Sequence, residues 1–368
     1  MSTKYQAVAD ALRAHIQAGK YAGAAVLPSE FAIAEEYQVS RQTVRQALSL
    51  LAQDGLIETK RGSGSHILRT AKAAACHYNI AVIVTYISDY VFPSILREVE
   101  DVLSRQECTS SIFATQNRVA NERKILTRLL EQPVDGVLVE ATKSALPNPN
   151  LDLYRQLTAK NIPLVFIHGY YADLPESHFV LDANYDGGLM LARYLADQGC
   201  TRIGGVFKSD DIQGHGRYAG YAAGLREQGL SLRDQTVFWF NTETKKTMLS
   251  GDDSPIRTFF DSVLEEVDAF LCYNDEIAYF FEQQIQRRGL RIPEDVVLVS
   301  FDNSNYSKLA PVPVTSLSHG GENTGRTAAQ MMLKLLGGEY CQSVQVPWEL
   351  VERESSRTGK KTGGEHGR

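Results

Sequence analysis

The hydrophobic positions of the first 70 residues recur mainly at helical spacing. Val8, Leu12 and Ile16 form one apolar stripe, which predicts a first helix over residues 5–18. Two more apolar stretches of helical length follow, and a serine stands in the N-cap position before each. These stretches predict helices over residues 31–37 and 41–53, capped by Ser29 and Ser40.

Two short stretches of strand length then flank a glycine-containing turn, and they predict strands over residues 57–60 and 65–68. Three helices followed by a hairpin is the order of a winged helix-turn-helix, whose last helix enters the major groove of DNA. The polar face of that helix carries Arg41 and Arg45, and arginine can bond guanine O6 and N7. Arg61 lies in the turn, where it can reach a minor groove. A simple solvated helix face is the alternative explanation of the arginine pair.

Three motifs in this segment resemble the GntR family of regulators across residues 3–69. They are Leu27-Pro28-Ser29-Glu30, the run from Val39 to Leu48, and Asp54-Gly55-Leu56-Ile57 with the glycine-rich wing after it. The resemblance implies a double-stranded DNA operator as partner. It places these residues at the DNA: Lys4, Ser29, Glu30, Arg41, Thr43, Arg45, Arg61, Gly62 and Ser63. Because one such head contacts few base pairs, we expect a homodimer on a palindromic operator.

Beyond residue 76 the pattern changes to short apolar runs that alternate with helical stretches. Several runs are continuously apolar, as strands covered by helices on both faces must be. The alternation predicts an α/β fold with doubly wound parallel sheets, and its length is enough for two lobes. We expect the chain to cross between the lobes near His168. The predicted strands cover residues 80–85, 111–115, 136–139, 164–167, 203–207, 237–240, 269–272, 296–300 and 314–317.

Polar and aromatic side chains are concentrated just after these strands. In open α/β sheets, ligands bind beyond the carboxyl ends of the strands. Carboxylates, amides and arginine can satisfy sugar hydroxyls, while aromatic rings cover the C–H surface of a sugar. The candidate ligand-binding residues are Tyr86, Asp89, Phe92, Glu140, Lys143, His168, Asp182, Lys208, Gln213, Arg217, Asn274, Asp302 and His319.

Motifs in the same order resemble the lactose/galactose-repressor family across residues 77–355. They include Asp135-Gly136-Val137-Leu138-Val139, the segment from Gly216 to Tyr221, Asn274-Asp275, Phe301-Asp302-Asn303 and the segment from Pro313 to Leu317. The resemblance implies that Arg217 binds a sugar. His168 stands where that family often carries aspartate. A GntR-type head on this body is similar to the group of L-arabinose repressors, which implies L-arabinose as the effector and no further cofactor.

These patterns divide the chain into a winged-helix head at residues 1–70 and a sugar-sensing body at residues 77–358. A short linker rich in small residues joins them at residues 71–76, and residues 359–368 form a polar tail. The head carries 8 Lys and Arg against 6 Asp and Glu, although the whole chain has a net charge of −6. A basic head on an acidic body combines phosphate contact with solubility.

Cysteine usage and the N-terminus bear on the compartment. The 5 cysteines are scattered, without a C-x-x-C pair, which fits a reducing cytoplasm and argues against a zinc site. The first residues contain no apolar signal-peptide core, and the apolar runs are too short to span a membrane. We therefore expect a cytoplasmic protein without a membrane partner.

Two other function classes and one other mode of control compete with this interpretation. An enzyme is disfavoured because the chain has neither G-x-S-x-G nor H-E-x-x-H. An extracytoplasmic sugar-binding protein is disfavoured by the winged head and the N-terminus. Among regulators, the alternative to a repressor induced by L-arabinose is a repressor or activator that responds to a different sugar or to a corepressor.

Overall fold

A computed structural model divides the chain into two compact units, Met1–Cys76 and His77–Arg368. The described residues are 4–17, 27–53, 56–60, 64–67, 78–88, 90–320 and 323–357. Predictions that concern Arg61, Gly62, Ser63, Asp89, the linker at 71–76 and the tail at 359–368 lie outside the described residues.

The head contains the predicted winged helix-turn-helix order. Its elements are α1 (Lys4–Gln17), α2 (Glu30–Glu36), α3 (Arg41–Gln53), β1 (Ile57–Lys60) and β2 (Gly64–Ile67). The Oγ of Ser29 accepts a hydrogen bond from the amide of Ala32 at 3.2 Å, and Ser40 accepts from the amide of Thr43 at 3.2 Å. These serines fix where α2 and α3 begin, because each satisfies an amide that the first helical turn leaves unpaired.

The head has its own core, in which one face of each helix is buried. Leu12 of α1, Ile33 of α2 and Val44 of α3 are fully buried there, together with Ile57 of β1. The amide of Leu27 donates to the carbonyl of Ser65 at 2.9 Å and ties the start of α2 to the hairpin. The apolar positions that recur at helical spacing in α3 therefore form its packing surface, and the opposite face of the helix is exposed.

The body contains twelve strands among its described residues. They are β3 (Asn79–Val84), β4 (Thr109–Ala114), β5 (Gly136–Glu140), β6 (Leu164–Ile167), β7 (His178–Asp182), β8 (Ile203–Lys208), β9 (Val237–Phe240), β10 (Ala269–Cys272), β11 (Val297–Phe301), β12 (Thr315–Ser318), β13 (Val344–Val346) and β14 (Glu349–Val351).

Ten helices cover the two faces of these sheets in the described part of the body. They are α4 (Phe92–Ser104), α5 (Val119–Glu131), α6 (Leu151–Ala159), α7 (Asn184–Asp197), α8 (Ile212–Glu227), α9 (Thr242–Leu249), α10 (Ser254–Val263), α11 (Asp275–Arg287), α12 (Asn305–Leu309) and α13 (Thr324–Leu336). Three short 3-10 turns also occur, at Asp234–Thr236, Leu264–Glu266 and Glu354–Ser356.

The strands form two six-stranded sheets, one in each lobe. In lobe one the order is β13-β7-β6-β5-β3-β4, and in lobe two it is β14-β12-β11-β10-β8-β9. The pairings are parallel except between β12 and β14. The predicted α/β architecture with parallel sheets in two lobes is confirmed.

Alternate residues of β3 show why its sequence is continuously apolar. Ile80 and Val82 pack into one core with Met332 of α13, whereas Ala81 and Ile83 pack into the core on the other face. Both faces of the sheet are covered by helices, so the strand has no solvent-facing position to make polar. This arrangement leaves the loops after the strands as the place for polar groups.

The described residues place three crossings between the lobes: at Ala183, between β12 and α13, and at 347–348. The expectation that it crosses near His168 was wrong, because β7 follows His168 and still belongs to lobe one. All three crossings lie next to strands at one edge of each sheet, namely β7, β12, β13 and β14. This edge is therefore the hinge, and β4 and β9 form the edges farthest from it.

Candidate functional site

A cavity of about 560 Å³ lies between the two lobes and is lined by the loops that follow strands of both sheets. Lys143 does not line it, and Asp89 is outside the described residues. The predicted ligand-binding residues that line the cavity are Tyr86, Phe92, Glu140, His168, Asp182, Lys208, Gln213, Arg217, Asn274, Asp302 and His319. Their contact with a sugar stays a prediction.

Arg217 is the largest of the fully buried side chains, with 1% of its surface exposed. Its Nε donates to Oδ1 of Asn184 at 2.9 Å, and its Nη2 donates to Oδ1 of Asp302 at 3.3 Å. Its Nη1 donates to the carbonyl of Tyr273. Three of its five N–H groups thus have protein partners, which fixes the plane in which the others can meet a ligand.

Close packing of two helices sets the position of this arginine. A Cβ added to Gly188 of α7 would lie 2.1 Å from the carbonyl oxygen of Arg217. A Cβ on Gly220 of α8 would lie 1.9 Å from the carbonyl oxygen of Tyr185. The two glycines allow α8 to pack directly on α7. Arg217 lies inside α8, and Asp211 caps that helix, so Arg217 does not act as its helix cap.

Asp302 is in contact with Arg217 and with a tyrosine from the other lobe. Arg217 and Asp302 are direct neighbours on one wall of the cavity. The hydroxyl of Tyr90, which precedes α4 in lobe one, donates to Oδ2 of Asp302 at 2.8 Å. The same hydroxyl accepts from the amide of Asp275 at 3.2 Å. Tyr90 therefore bridges the lobes within the cavity.

Asp182 and His319 pair at the hinge. His319 Nε2 lies 3.0 Å from Oδ1 of Asp182, and its ring stacks on Trp348 at 3.7 Å. Burial lowers the pKa of His319, but the contact with Asp182 outweighs it and leaves that pKa raised. Burial alone would raise the pKa of Asp182. His168, His319 and Arg217 have the larger, opposite effect and leave that pKa lowered, so this carboxyl stays ionised.

Glu140 ends β5 and presents a second carboxylate to the cavity. Its Oε2 accepts from both the amide and the hydroxyl of Thr85, each at 2.6 Å. Its Oε1 lies 4.0 Å from Nδ1 of His168. Burial raises the pKa of Glu140 above its ordinary value, despite the favourable effects of His168 and Thr85. The Oε1 atom is thus positioned to accept a ligand hydroxyl.

Lys208 and Gln213 belong to one polar network that extends from lobe two to Asp182 of lobe one. Lys208 Nζ lies 2.9 Å from Oδ2 of Asp211 and 3.2 Å from Oδ1 of Asp210. Burial opposes its charge, but the two carboxylates leave the pKa of Lys208 raised. Gln213 donates to Oδ2 of Asp182 at 3.0 Å and accepts from the Tyr273 hydroxyl at 3.0 Å. The network orients the polar groups before any ligand arrives.

Lys143 has a different place from the one expected of a ligand-binding residue. Its ammonium group lies 4.0 Å from Oδ2 of Asp210 and 3.7 Å from Oε1 of Glu243, both in lobe two. The side chain joins the lobes outside the cavity lining. The rule that ligands bind beyond the carboxyl ends of strands places Lys143 at the correct edge of its sheet but does not give its partners across the cleft.

Backbone strain is concentrated at these loops. Seven non-glycine residues in loops that follow strands of the body have φ between +45° and +91°: Tyr90, Gln116, Asn117, Lys143, His168, Asp302 and Asn303. Such conformations cost about 1–3 kcal/mol each and persist only where surrounding contacts hold them. All of these residues except Gln116 and Lys143 line the cavity.

Sequence reasoning missed Tyr90, Asn117 and Thr242, all of which line the cavity. Asn117 and Thr242 follow the two edge strands, β4 and β9. Their position after these strands could have identified both residues, because ligands bind beyond the carboxyl ends of edge strands as well as central ones.

The lining can recognise an uncharged polyhydroxyl ligand. The carboxylates of Glu140, Asp182 and Asp302 supply acceptors, and the guanidinium of Arg217 lies 3.8 Å from Asp182 and 3.3 Å from Asp302. Tyr86 and Phe92 supply an aromatic wall, with ring centroids 6.0 Å apart. Among the described residues, no group of three or more His, Cys, Asp or Glu side chains could hold a metal ion.

The head presents a second candidate site on the exposed face of α3. Arg41 and Arg45 have 62% and 59% of their side-chain surface exposed. Arg45 Nε donates to both carboxylate oxygens of Glu30, at 3.1 and 3.0 Å, and Arg41 Nη2 lies 3.6 Å from Glu30 Oε2. Glu30 therefore orients both arginines, and its own charge would repel phosphate.

The other predicted DNA-facing residues of the head have local roles as well. Ser29 caps α2, and the Thr43 hydroxyl lies 2.9 Å from the hydroxyl of Ser40. Lys4 begins α1. DNA contact by these residues stays a prediction. In the described part of the chain, none of the helices has the length and apolar character needed to cross a bilayer.

Family models match both parts of the chain. Residues 4–67 match the bacterial regulatory proteins of the gntR family, and residues 192–356 match the periplasmic binding protein-like domain.

Two curated relatives are named arabinose metabolism transcriptional repressor. The chain is 33% identical to the protein from Halalkalibacterium halodurans over 376 residues, which cover 99% of both chains. It is also 33% identical to the protein from Geobacillus stearothermophilus over 315 residues, which cover 84% of this chain and 85% of the relative.

A solved structure agrees with the fold of the body. It is a periplasmic binding protein/LacI transcriptional regulator from Alkaliphilus metalliredigens, complexed with D-xylulofuranose. It superposes with a TM-score of 0.64 at 22% identity and covers 75% of this chain and 98% of that one. At this identity the likeness concerns the fold alone.

Proposed function

The chain belongs to the arabinose metabolism transcriptional repressors, and on that premise we propose that it represses genes of L-arabinose use and leaves its operator when the sugar binds. It is a DNA-binding transcriptional repressor with a sugar-responsive body. The finer elements of the proposal are the identity of the sugar, the residues that hold it, and assembly as a homodimer.

The observation that carries the proposal is the origin of the cavity lining. Glu140 and His168 come from lobe one, Arg217 and Asp302 come from lobe two, and all four line the same cavity. A ligand that bonds to both walls has a higher affinity for closed lobes than for open ones. Only such a difference in affinity can shift the balance between two conformations.

The release of DNA then follows from the coupling of two equilibria. We propose that closed lobes are incompatible with binding both half-sites of a palindromic operator at once. Coupling of this kind is typically about 1–3 kcal/mol, or roughly 5- to 150-fold in affinity. Because the coupling is reciprocal, operator DNA lowers the affinity for the sugar by the same factor that the sugar lowers the affinity for DNA.

Isothermal titration calorimetry tests the identity of the sugar. We expect binding of L-arabinose and much weaker binding of D-xylose, which differs from it only in the configuration at C4. Asp302→Asn should remove most of the affinity, because it replaces an acceptor oxygen by a donor in a buried site. Equal affinity for both sugars, or unchanged affinity in the variant, would contradict the proposal.

The sign of control is tested by the same protein on DNA. A corepressor would tighten operator binding, whereas an inducer weakens it. The proposed homodimer predicts that a palindrome cut to one half-site loses most of its affinity, since half of the contacts are removed.

A further inference from the structure

The edge of the cleft farthest from the hinge is held shut by contacts between the protein's own side chains. Asn117 follows β4, and Thr242 follows β9, and these strands lie at the far edge of each sheet. Asn117 Nδ2 donates to Oγ1 of Thr242 at 2.6 Å. The two residues are 3% and 2% exposed, so this hydrogen bond between the lobes is shielded from water.

Each partner of this bond is itself fixed within its lobe. Asn117 Oδ1 accepts from the amide of Lys143 at 2.8 Å, in lobe one. The amide of Thr242 donates to Oδ2 of Asp210 at 3.1 Å, in lobe two. Neither side chain can follow the other if the lobes move apart, because these second bonds hold them in place.

Two further contacts join the lobes near this bond, on the loops that follow β5 in lobe one and β8 and β9 in lobe two. Lys143 Nζ lies 4.0 Å from Asp210, which is 3% exposed, and 3.7 Å from Glu243. The amide of Ile212, at the start of α8, donates to Oγ of Ser144 at 3.0 Å. Lys143 and Ser144 lie next to each other in lobe one, so the contacts act on one segment.

The position of these contacts decides their effect. Rotation about a hinge separates the far edges more than any other part of the two lobes. A hydrogen bond is lost once its heavy atoms move well beyond about 3.2 Å, so even a small opening breaks these contacts completely. They therefore contribute to the closed state alone.

We propose that Asn117, Thr242, Lys143 and Asp210 form an interlobe clasp that stabilises closed lobes in the absence of sugar and sets the sugar concentration needed for release. These are positioning residues, and Lys143 acts through the clasp rather than as a sugar contact. The inference about DNA release rests on the proposed function, whereas the effect on lobe closure does not.

The clasp has an effect that distinguishes it from a sugar contact. Loss of the clasp shifts the sugar-free protein toward open lobes, the DNA-binding state. Operator affinity without sugar should then rise or stay at its maximum, and more sugar should be needed for release. A residue that only touches the sugar changes the second quantity and leaves the sugar-free protein as it was.

Thr242→Val and Lys143→Met are the test variants, since each keeps the side-chain bulk and removes the interlobe group. Thr127→Val and Lys124→Met, in the exposed part of α5 in lobe one, are matched controls. One interlobe hydrogen bond corresponds to roughly a 2- to 12-fold change in the closed-to-open ratio. We expect the concentration of L-arabinose at half-release to rise by that factor in the test variants only.

Hydrogen–deuterium exchange of the full-length protein without sugar tests the clasp by itself. Thr242→Val removes one contact between the lobes, and it should speed exchange at the Ile212 amide, whose acceptor, Ser144 Oγ, lies in the other lobe. Unchanged exchange at that amide would overturn the clasp, whether sugar affinity falls or not. If L-arabinose fails to release the wild-type protein from DNA, the proposed function fails, and the exchange result still decides the clasp.

Discussion

Arg217 and Asp302 form an ion pair in the wall of the cavity, with Nη2 of the guanidinium 3.3 Å from Oδ1 of the carboxylate. The rings of Phe301 and Tyr273 lie 4.2 and 4.8 Å from the guanidinium carbon. Asp302 is held with φ of 91°, in a region that aspartate adopts only under constraint. The pair thus presents fixed donors and acceptors, which lowers the entropy lost on binding a ligand.

Substitutions at the two ends of this pair should differ in kind. Arg217→Ala leaves buried carboxylates without their partner, so it should destabilise the protein by about 3–5 kcal/mol. Asp302→Asn keeps the shape and should leave the thermal midpoint much closer to wild type, while sugar affinity is lost. Thermal unfolding and calorimetry on both variants measure the difference. Equal destabilisation by the two substitutions would contradict this division.

Glu30 should influence selectivity for DNA rather than the fold. Glu30→Gln releases Arg45 and Arg41 from their oriented positions and removes a charge that repels phosphate. We expect the affinity for random DNA to rise and the ratio of operator affinity to random-DNA affinity to fall. The fall in the ratio should correspond to the free energy of one exposed ion pair, about 0.2–1 kcal/mol. Fluorescence anisotropy with both DNAs measures the ratio. Glu35→Gln, on the exposed face of the same helix, is the control and should leave that ratio unchanged.

The pair of His319 and Asp182 predicts how stability depends on pH. The pKa of His319 is raised in the folded protein, so its contribution is fully present below the ordinary value of 6.5 and is lost as pH rises through the raised pKa. Asp302 and the carbonyl of Pro347 also favour the charged ring. The difference in free energy of unfolding between wild type and His319→Gln should shrink as pH increases from 6 toward 9. A difference that grows over this range would refute the assignment.

The order of the elements, and the placement of most candidate ligand-binding residues at the cavity, could be predicted from the sequence because both depend on local patterns. Ser29 and Ser40 mark helix starts by chemistry that acts within three residues. The rule that ligands bind beyond the carboxyl ends of strands placed Arg217, Asp302 and His168 at the cavity, since all parallel strands of one sheet end at the same edge.

What could not be predicted depends on partners distant in sequence. The strands β13 and β14 have only three residues each, too few to show a period. Nothing close to Lys143 in the sequence shows its neighbours Asp210 and Glu243, which lie across the cleft. The hinge was misplaced because β7 was not recognised, and the partnership of His319 with Asp182 joins two crossings 137 residues apart in the chain.

The central claim is that L-arabinose releases this repressor from DNA, and an operator titration tests it directly. A fluorescent palindromic operator, selected from random DNA by the protein itself, is held half-saturated while L-arabinose or D-xylose is added at fixed ionic strength. We predict that L-arabinose lowers operator affinity roughly 5- to 150-fold and that D-xylose leaves it unchanged at the same concentration. Operator binding that is unaffected or tightened by L-arabinose would contradict the account.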